Sequence, residues 1–282
     1  MAGDAFLGRW RVTEYVFDDL GALVGVNYQQ RELERLAESR IRVTQRCRPD
    51  AMLAQHPMAA FAGEWVFDLA LEGRVRRYLG PDVVGAAVRW GSDAMTGRGV
   101  WPRFGHNFVS WSVMVTPRRQ LTGGRFFRAG ACVAHIIGVG QALTPIDEPA
   151  GYPSLDLAAR PESLAHEWRG ARTRFDADGD CLGEEPLARC YHANGWREDD
   201  WPVEWTACGD DLRVAGFGLD AVARRVGPSF ELEGALADGA HISMLEVLDA
   251  ATRTLVGIHR VIEAERLQRV AVIRLSAVVE GE

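Results

Sequence analysis

Three residues carry groups suited to acid–base or polarising chemistry: Glu14, Arg89 and His106. Glu14 lies in the run WRVTEYVF, Trp10 to Phe17. If Trp10 points inward on a strand, alternation puts Val12, Glu14 and Val16 on the same face. A carboxylate facing an apolar interior is pushed towards its protonated form, which suits a general acid or base. Two competing readings stay open: a partner arginine beside Glu14, and a one-residue shift of register that turns it to solvent. Arg89 stands just before the stretch GSDAMTGRGVWPRFGHN, Gly91 to Asn107, and His106 lies within it; both are candidates to polarise a carbonyl. Trp90, Trp101, Phe104 and Asn107 in and beside that stretch have the composition of a lid over a barrel mouth, or of a contact with another domain. Trp111, on the face of Val109 and Val113, is a candidate wall residue or a packing residue. His135, in CVAHIIG, reads first as a core histidine and second as a substrate contact. Glu246 and His259 fall on adjacent predicted strands, where they can meet.

Several chemistries are excluded by what the chain lacks. All 32 basic residues are arginine, so neither a Schiff-base lysine nor a Walker lysine exists. The seven histidines are widely separated, and there is no H-E-x2-H, C-x2-C or G-x-S-x-G. GVGQAL at Gly138 lacks the third glycine of a dinucleotide loop. DADGD at Asp176 fails as a calcium loop, because Cys181 and Leu187 stand at its sixth and twelfth positions. No metal and no cofactor are therefore expected. A net charge of -7 argues against nucleic acid as a partner. No run approaches 18 apolar residues and the first residues do not resemble a signal peptide, so no membrane span and a cytoplasmic location are expected.

The elements that must carry these residues come in two copies. Gly8 to Gly25 and Glu167 to Gly183 share the pattern W-R-x5-F-D-x2-G-x3-G. Trp10 and Trp168, Arg11 and Arg169, Phe17 and Phe175, Asp18 and Asp176, Gly21 and Gly179, Gly25 and Gly183 all match at one constant offset. Further along, Gly80-Pro81 matches Gly227-Pro228, and Phe108 to Phe127 matches Ile242 to Val261. On that alignment the long loop 91–107 has no counterpart in the second copy. QQRELERLAES, Gln29 to Ser39, fits either a short helix or a polar strand extension. Elsewhere β-branched and aromatic residues alternate with polar ones between turn signals, giving seven to nine short strands per half. An all-β chain of two tandem antiparallel barrels follows, with domains at 1–145 and 164–282 and a proline-rich linker at 146–163.

Gly8-x-Trp10 at the start of the first strand resembles the G-x-W signature of lipocalins, and each half resembles one calycin barrel. The second copy departs from it, with Glu167 beside Trp168 and no glycine two positions earlier. Two such units resemble the tandem lipocalin-like families, which include carotenoid hydratases of the hydroxyneurosporene synthase type and natural-product Diels-Alderases. The resemblance implies that the first-strand tryptophan plugs one barrel end beneath an arginine of the last strand, a place that Arg274 would fill in the second half. It also implies a cofactor-independent cyclase or isomerase, pericyclase or hydratase included, acting on an apolar polyene or polyketide-like molecule. The alternative is a non-catalytic carrier of a hydrophobic ligand or chromophore. A third reading, a structural pseudo-dimer, expects no cavity at all. A titratable group in the lumen favours the enzyme, and an all-apolar lumen favours the carrier.

Overall fold

The computed structural model describes residues 4–144, 151–198, 201–208, 211–216 and 218–278. The chain divides into two compact units, Met1–Ser154 and Leu155–Glu282. Among the described residues each unit is a closed antiparallel barrel of ten strands, every strand paired with its neighbours in sequence and the last with the first. Closure leaves no sheet edge exposed.

In the first unit the strands are β1 (Gly8–Phe17), β2 (Leu23–Ala37), β3 (Arg40–Pro49), β4 (Gly63–Glu72), β5 (Val75–Leu79), β6 (Val84–Trp90), β7 (Ala94–Trp101), β8 (His106–Thr116), β9 (Arg119–Arg128) and β10 (Ala131–Leu143). Short 3-10 helices at Ala51–Gln55 and Pro57–Phe61 follow β3, and a third at Pro102–Phe104 joins β7 to β8. In the second unit they are β11 (Glu167–Asp176), β12 (Cys181–His192), β13 (Gly195–Glu198), β14 (Trp201–Cys208), β15 (Asp211–Gly216), β16 (Leu219–Val226), β17 (Ser229–Ala235), β18 (His241–Asp249), β19 (Thr254–Glu263) and β20 (Arg266–Ala277).

The shared F-D-x2-G pattern is the turn that starts each barrel. Asp18 Oδ1 accepts from Leu20 N at 3.0 Å and Ala22 N at 2.8 Å, and Asp176 Oδ1 accepts from Asp180 N at 2.9 Å. Gly21 and Gly179 take φ of 85° and 81°, a region costly for residues with a Cβ. DADGD is therefore a hairpin turn between β11 and β12.

Two expectations are corrected by the fold, and one alternative left open is decided. The stretch 91–107 is no lid: it holds barrel strand β7 and a tight turn. The misreading has a definite source. Gly80-Pro81 joins the fifth and sixth strands of its barrel, whereas Gly227-Pro228 joins the sixth and seventh, so matching them shifted one hairpin against the other. Of QQRELERLAES, the residues up to Ala37 are strand, the end of the 15-residue β2, and Glu38 and Ser39 form the turn to β3. Arg274 faces outward, because Ile273 and Leu275 on either side of it are fully buried in the core of the second barrel. Trp168 packs instead on Tyr191, with ring centroids 6.4 Å apart.

The two interiors differ. The second barrel is filled by one apolar cluster running from Trp168 through Tyr191, Trp196 and Trp205 to Leu248 and Leu275. The first has an apolar cluster at each end and a third, of Ile41, Val43 and Leu69, along one wall between them. At one end Trp10, Val12, Phe6 and Met114 pack together, with Trp10 Nε1 donating to the Phe6 carbonyl at 3.1 Å. At the other, Leu53, Met58 and Phe61 of the 3-10 helices meet Val16, Trp65, Trp101 and Phe108. Between these two plugs lies the lumen.

Candidate functional site

Strand alternation decides what faces this lumen. Trp10, Val12, Glu14 and Val16 point inward from β1, and across the β1–β2 register Glu14 stands opposite Asn27. Asn27, Gln29 and Arg31 therefore point inward from β2 on the same period of two. They enclose the Glu14 carboxylate. Asn27 Nδ2 donates to Oε2 at 3.0 Å, Gln29 Nε2 donates to the same oxygen, and Arg31 Nη2 lies 3.6 Å from Oε1. Arg31 Nη2 also donates to Gln29 Oε1 at 2.8 Å, so Gln29 links the guanidinium to the carboxylate. Glu14 is 8% exposed, and its burial pushes its carboxyl above the ordinary value of 4.5 despite Arg31 and the two amides.

Around this group is a cavity of about 180 Å³, in a measure where one water needs about 10–15 Å³. Its middle is polar. Cys47 accepts from Gln45 Nε2 at 3.3 Å, and burial pushes its thiol up to about 11, too high for a thiolate nucleophile at neutral pH. Tyr78 is hydrogen-bonded to Ser110, and Ser112 Oγ lies 2.9 Å from Thr122 Oγ1. Towards the 3-10 helices the wall becomes aromatic, with Phe61, Phe67, Trp101, Phe108 and Phe126. Phe61 packs edge-on to Trp101 at 5.4 Å and to Phe126 at 5.4 Å. Towards Trp10 the lining includes Arg76, which is 1% exposed, ion-paired with Asp4 and placed over the Phe6 ring at 5.6 Å.

The other sequence candidates are dispersed. Trp101 lines the aromatic half of the lumen, and half-buried Phe104 packs on Phe61 at 4.6 Å. His106 lies at the same end, its ring 5.9 Å from Phe61. Burial and then Arg128 lower its pKa below 6.5, with the Phe104 backbone partly offsetting them, so it is a neutral imidazole at pH 7. Arg89 shares the lumen side of β6 with Ala87 but sits by the Trp10 end, where it repels Arg76 and donates to its own turn at Ser92 O, 3.4 Å away. Arg89 pairs with Met95 and Met95 with Ser112, six residues along β8 from His106, or about 20 Å of strand. Glu14, Arg89 and His106 thus form no single catalytic cluster.

Four candidates lie on the outer wall. Trp90 donates to Thr96 Oγ1 at 2.9 Å beneath Arg74, on the face opposite Ala87. Trp111 stands between lumen-lining Ser110 and Ser112 and so points out, with Val109 and Val113. Asn107 is exposed between the buried His106 and Phe108. His135 points out between Ala134 and Ile136, which belong to the plug by the 3-10 helices. Asn27, Gln29, Arg31, Arg76 and Tyr78 were absent from the sequence candidates. The alternation of polar residues in NYQQRE was the available signal for the first three.

The second barrel places its charge differently. Arg189 is fully buried and grips Glu246 through two bonds, Nη1 to Oε2 at 2.7 Å and Nη2 to Oε1 at 2.9 Å. Its Nη2 also donates to Glu198 Oε2 at 2.9 Å, and its guanidinium lies over Trp196 at 4.7 Å. Glu246 and His259 do meet, Oε1 to Nε2 at 2.9 Å. The network runs on through Glu198 to Arg172, and the cavity beside it is about 20 Å³, too small to admit more than a water or two. No group of three or more metal-ligating side chains occurs among the described residues. No helix of the described residues is long and apolar enough to cross a membrane.

Comparisons with known proteins bear on the fold. No protein-family model matches the chain, and no curated protein matches it in sequence. Among solved structures, the chain is similar to a protein of unknown function from the DUF3598 family of Nostoc punctiforme PCC 73102, at 14% identity and a TM-score of 0.57, covering 99% of this chain and 100% of that one. An S-type phycobiliprotein lyase from Guillardia theta matches at 12% identity and a TM-score of 0.38, over 50% of this chain and 89% of its own. The first likeness spans both barrels from end to end, and it shows that the tandem-barrel fold is shared.

Proposed function

We propose that the first barrel binds a largely apolar small molecule and that Glu14 serves it as a general acid or base, in a cofactor-independent isomerisation, cyclisation or hydration. The observation that carries this reading is a buried, titratable carboxyl set in the wall of a cavity whose one half is aromatic. A carboxyl disfavoured as an anion by desolvation and favoured by Arg31 is poised to exchange a proton. The aromatic half would hold a flexible chain in one conformation, and such preorganisation can remove several kcal/mol of a cyclisation barrier. The carrier reading keeps one observation in its favour: Glu14 already has two hydrogen-bond donors and an ion-pair partner, and neither Arg89 nor His106 is brought to it.

Replacement of Glu14 by glutamine separates the two. The enzyme reading expects a compound to co-purify with the protein from its own host, and expects Glu14→Gln to bind that compound within a few-fold of wild type and to lose about 100-fold or more in its conversion. Unchanged conversion would rule Glu14 out as the acid or base, and no conversion by wild type would favour the carrier.

The same variant reports on the carboxyl's energetics. Because its folded pKa is raised, Glu14 contributes most to stability below its unfolded pKa of about 4.3, and this contribution is lost as pH rises through the folded value. Wild-type stability relative to Glu14→Gln should therefore fall from pH 4 to pH 8, measured by denaturant unfolding at each pH. A difference that grows with pH would show that Arg31 and the amides outweigh burial.

A further inference from the structure

The lumen is chemically divided along its length, and that division specifies a ligand. One half is walled by Phe61, Phe67, Trp101, Phe108 and Phe126. The other presents two guanidinium groups, Arg31 and Arg76, with the Tyr78 hydroxyl close enough to feel the field of both. Each arginine has work left undone. Arg31 spends Nη2 on Glu14 and Gln29, and Arg76 spends its terminal nitrogens on Asp4 and Met95, but the Nε–H of each is buried without an acceptor. A buried donor left unpaired loses its water partners with nothing in return, which destabilises the fold. Arg76 is 1% exposed, so solvent at the protein surface does not serve it. Asn27, 3% exposed, adds an unpaired acceptor, Oδ1, on the same wall.

We infer that the molecule taken by the first barrel is an amphipathic acid, its apolar body in the aromatic half and its carboxylate or equivalent anionic head against Arg31 and Arg76. This inference rests on the reading of the lumen as a ligand site and adds the class of ligand. Two unpaired N–H donors on cationic groups call for an acceptor with negative charge, for which guanidinium hydrogen bonds are the strong kind. Asn27 Oδ1 would take a hydroxyl or N–H adjoining that head. Burial disfavours the charge on Glu14, and in its neutral form Glu14 leaves Arg31 facing the head without a competing anion.

Two fluorescent dyes with the same aromatic body test the charge: 8-anilinonaphthalene-1-sulfonate, an anion, and N-phenyl-1-naphthylamine, its neutral counterpart. Both are titrated into the intact chain and into Arg31→Gln, Arg31→Lys and Ala87→Phe. Ala87 lines the lumen, and a phenyl ring there would fill it. Arg31→Gln is expected to weaken the sulfonate about tenfold and leave the neutral dye within twofold, with Arg31→Lys recovering most of the loss. Ala87→Phe should weaken both. Equal loss of both dyes in Arg31→Gln, or no loss of either, would overturn the anionic head while leaving the lumen as a site. Binding indifferent to Ala87→Phe would overturn the lumen itself, and the inference with it.

Discussion

Replacing Glu246 by glutamine should cost the second barrel about 3–5 kcal/mol, the usual penalty for leaving a buried charge without its partner. Arg189 is fully buried and would keep only Glu198 as a charged neighbour. Burial by itself pushes the Glu246 carboxyl up, but Arg189 and His259 outweigh it and hold the group well below the usual carboxylate range. A depressed folded pKa gives stability that is present above the unfolded value of about 4.3 and lost as pH falls through the folded one. The gap between wild type and Glu246→Gln should thus stay level from pH 8 to pH 5 and narrow only in stronger acid. Denaturant unfolding followed by the fluorescence of Trp196, 4.7 Å from the Arg189 guanidinium, checks it. Removing both charges with Arg189→Met and Glu246→Leu should restore much of the loss, because Glu198 keeps its ion pair with Arg172 and no fully buried ion is left without a partner. A Glu246→Gln variant as stable as wild type would mean that the network contributes nothing.

The second large effect concerns the first barrel. Ala87→Phe inserts a ring into the cavity from β6, where Ala87 is 2% exposed and its side chain takes part in no hydrogen bond. Overpacking of this kind costs about 1–3 kcal/mol. Ligand affinity should fall far more, by about 100-fold, because the space itself is removed. Isothermal titration against the co-purifying compound, with a melting curve for stability, reads both quantities. A ligand that still binds Ala87→Phe at wild-type strength would lie outside this lumen.

Much of this arrangement was legible in the chain because β-structure has a period of two. Once Trp10 is taken as inward, Glu14 follows, and the structure places both there. The same rule applied to NYQQRE yields Asn27, Gln29 and Arg31, but from Gln29 onward the chain fits a short helix as well as a strand, and only its pairing with β1 decides. Alternation also does not say which aromatic rings face in. Trp90 and Trp111 lie on the outer wall, buried as deeply as lumen residues, because a barrel strand can bury both its faces. The lid failed for a different reason: two Gly-Pro pairs were matched by identity, although the turns they make are one hairpin apart. Arg76 had no local signal, since its partner Asp4 lies 72 residues away in sequence.

Native mass spectrometry of the intact chain purified from its own host, beside Ala87→Phe prepared in the same way, tests the central claim most directly. One bound compound of a single mass is expected on wild type, apolar in its body and acidic at its head, and none on the variant. The same mass on both proteins, or an empty wild type that also fails to take up either naphthalene dye, would contradict a ligand-bearing first barrel.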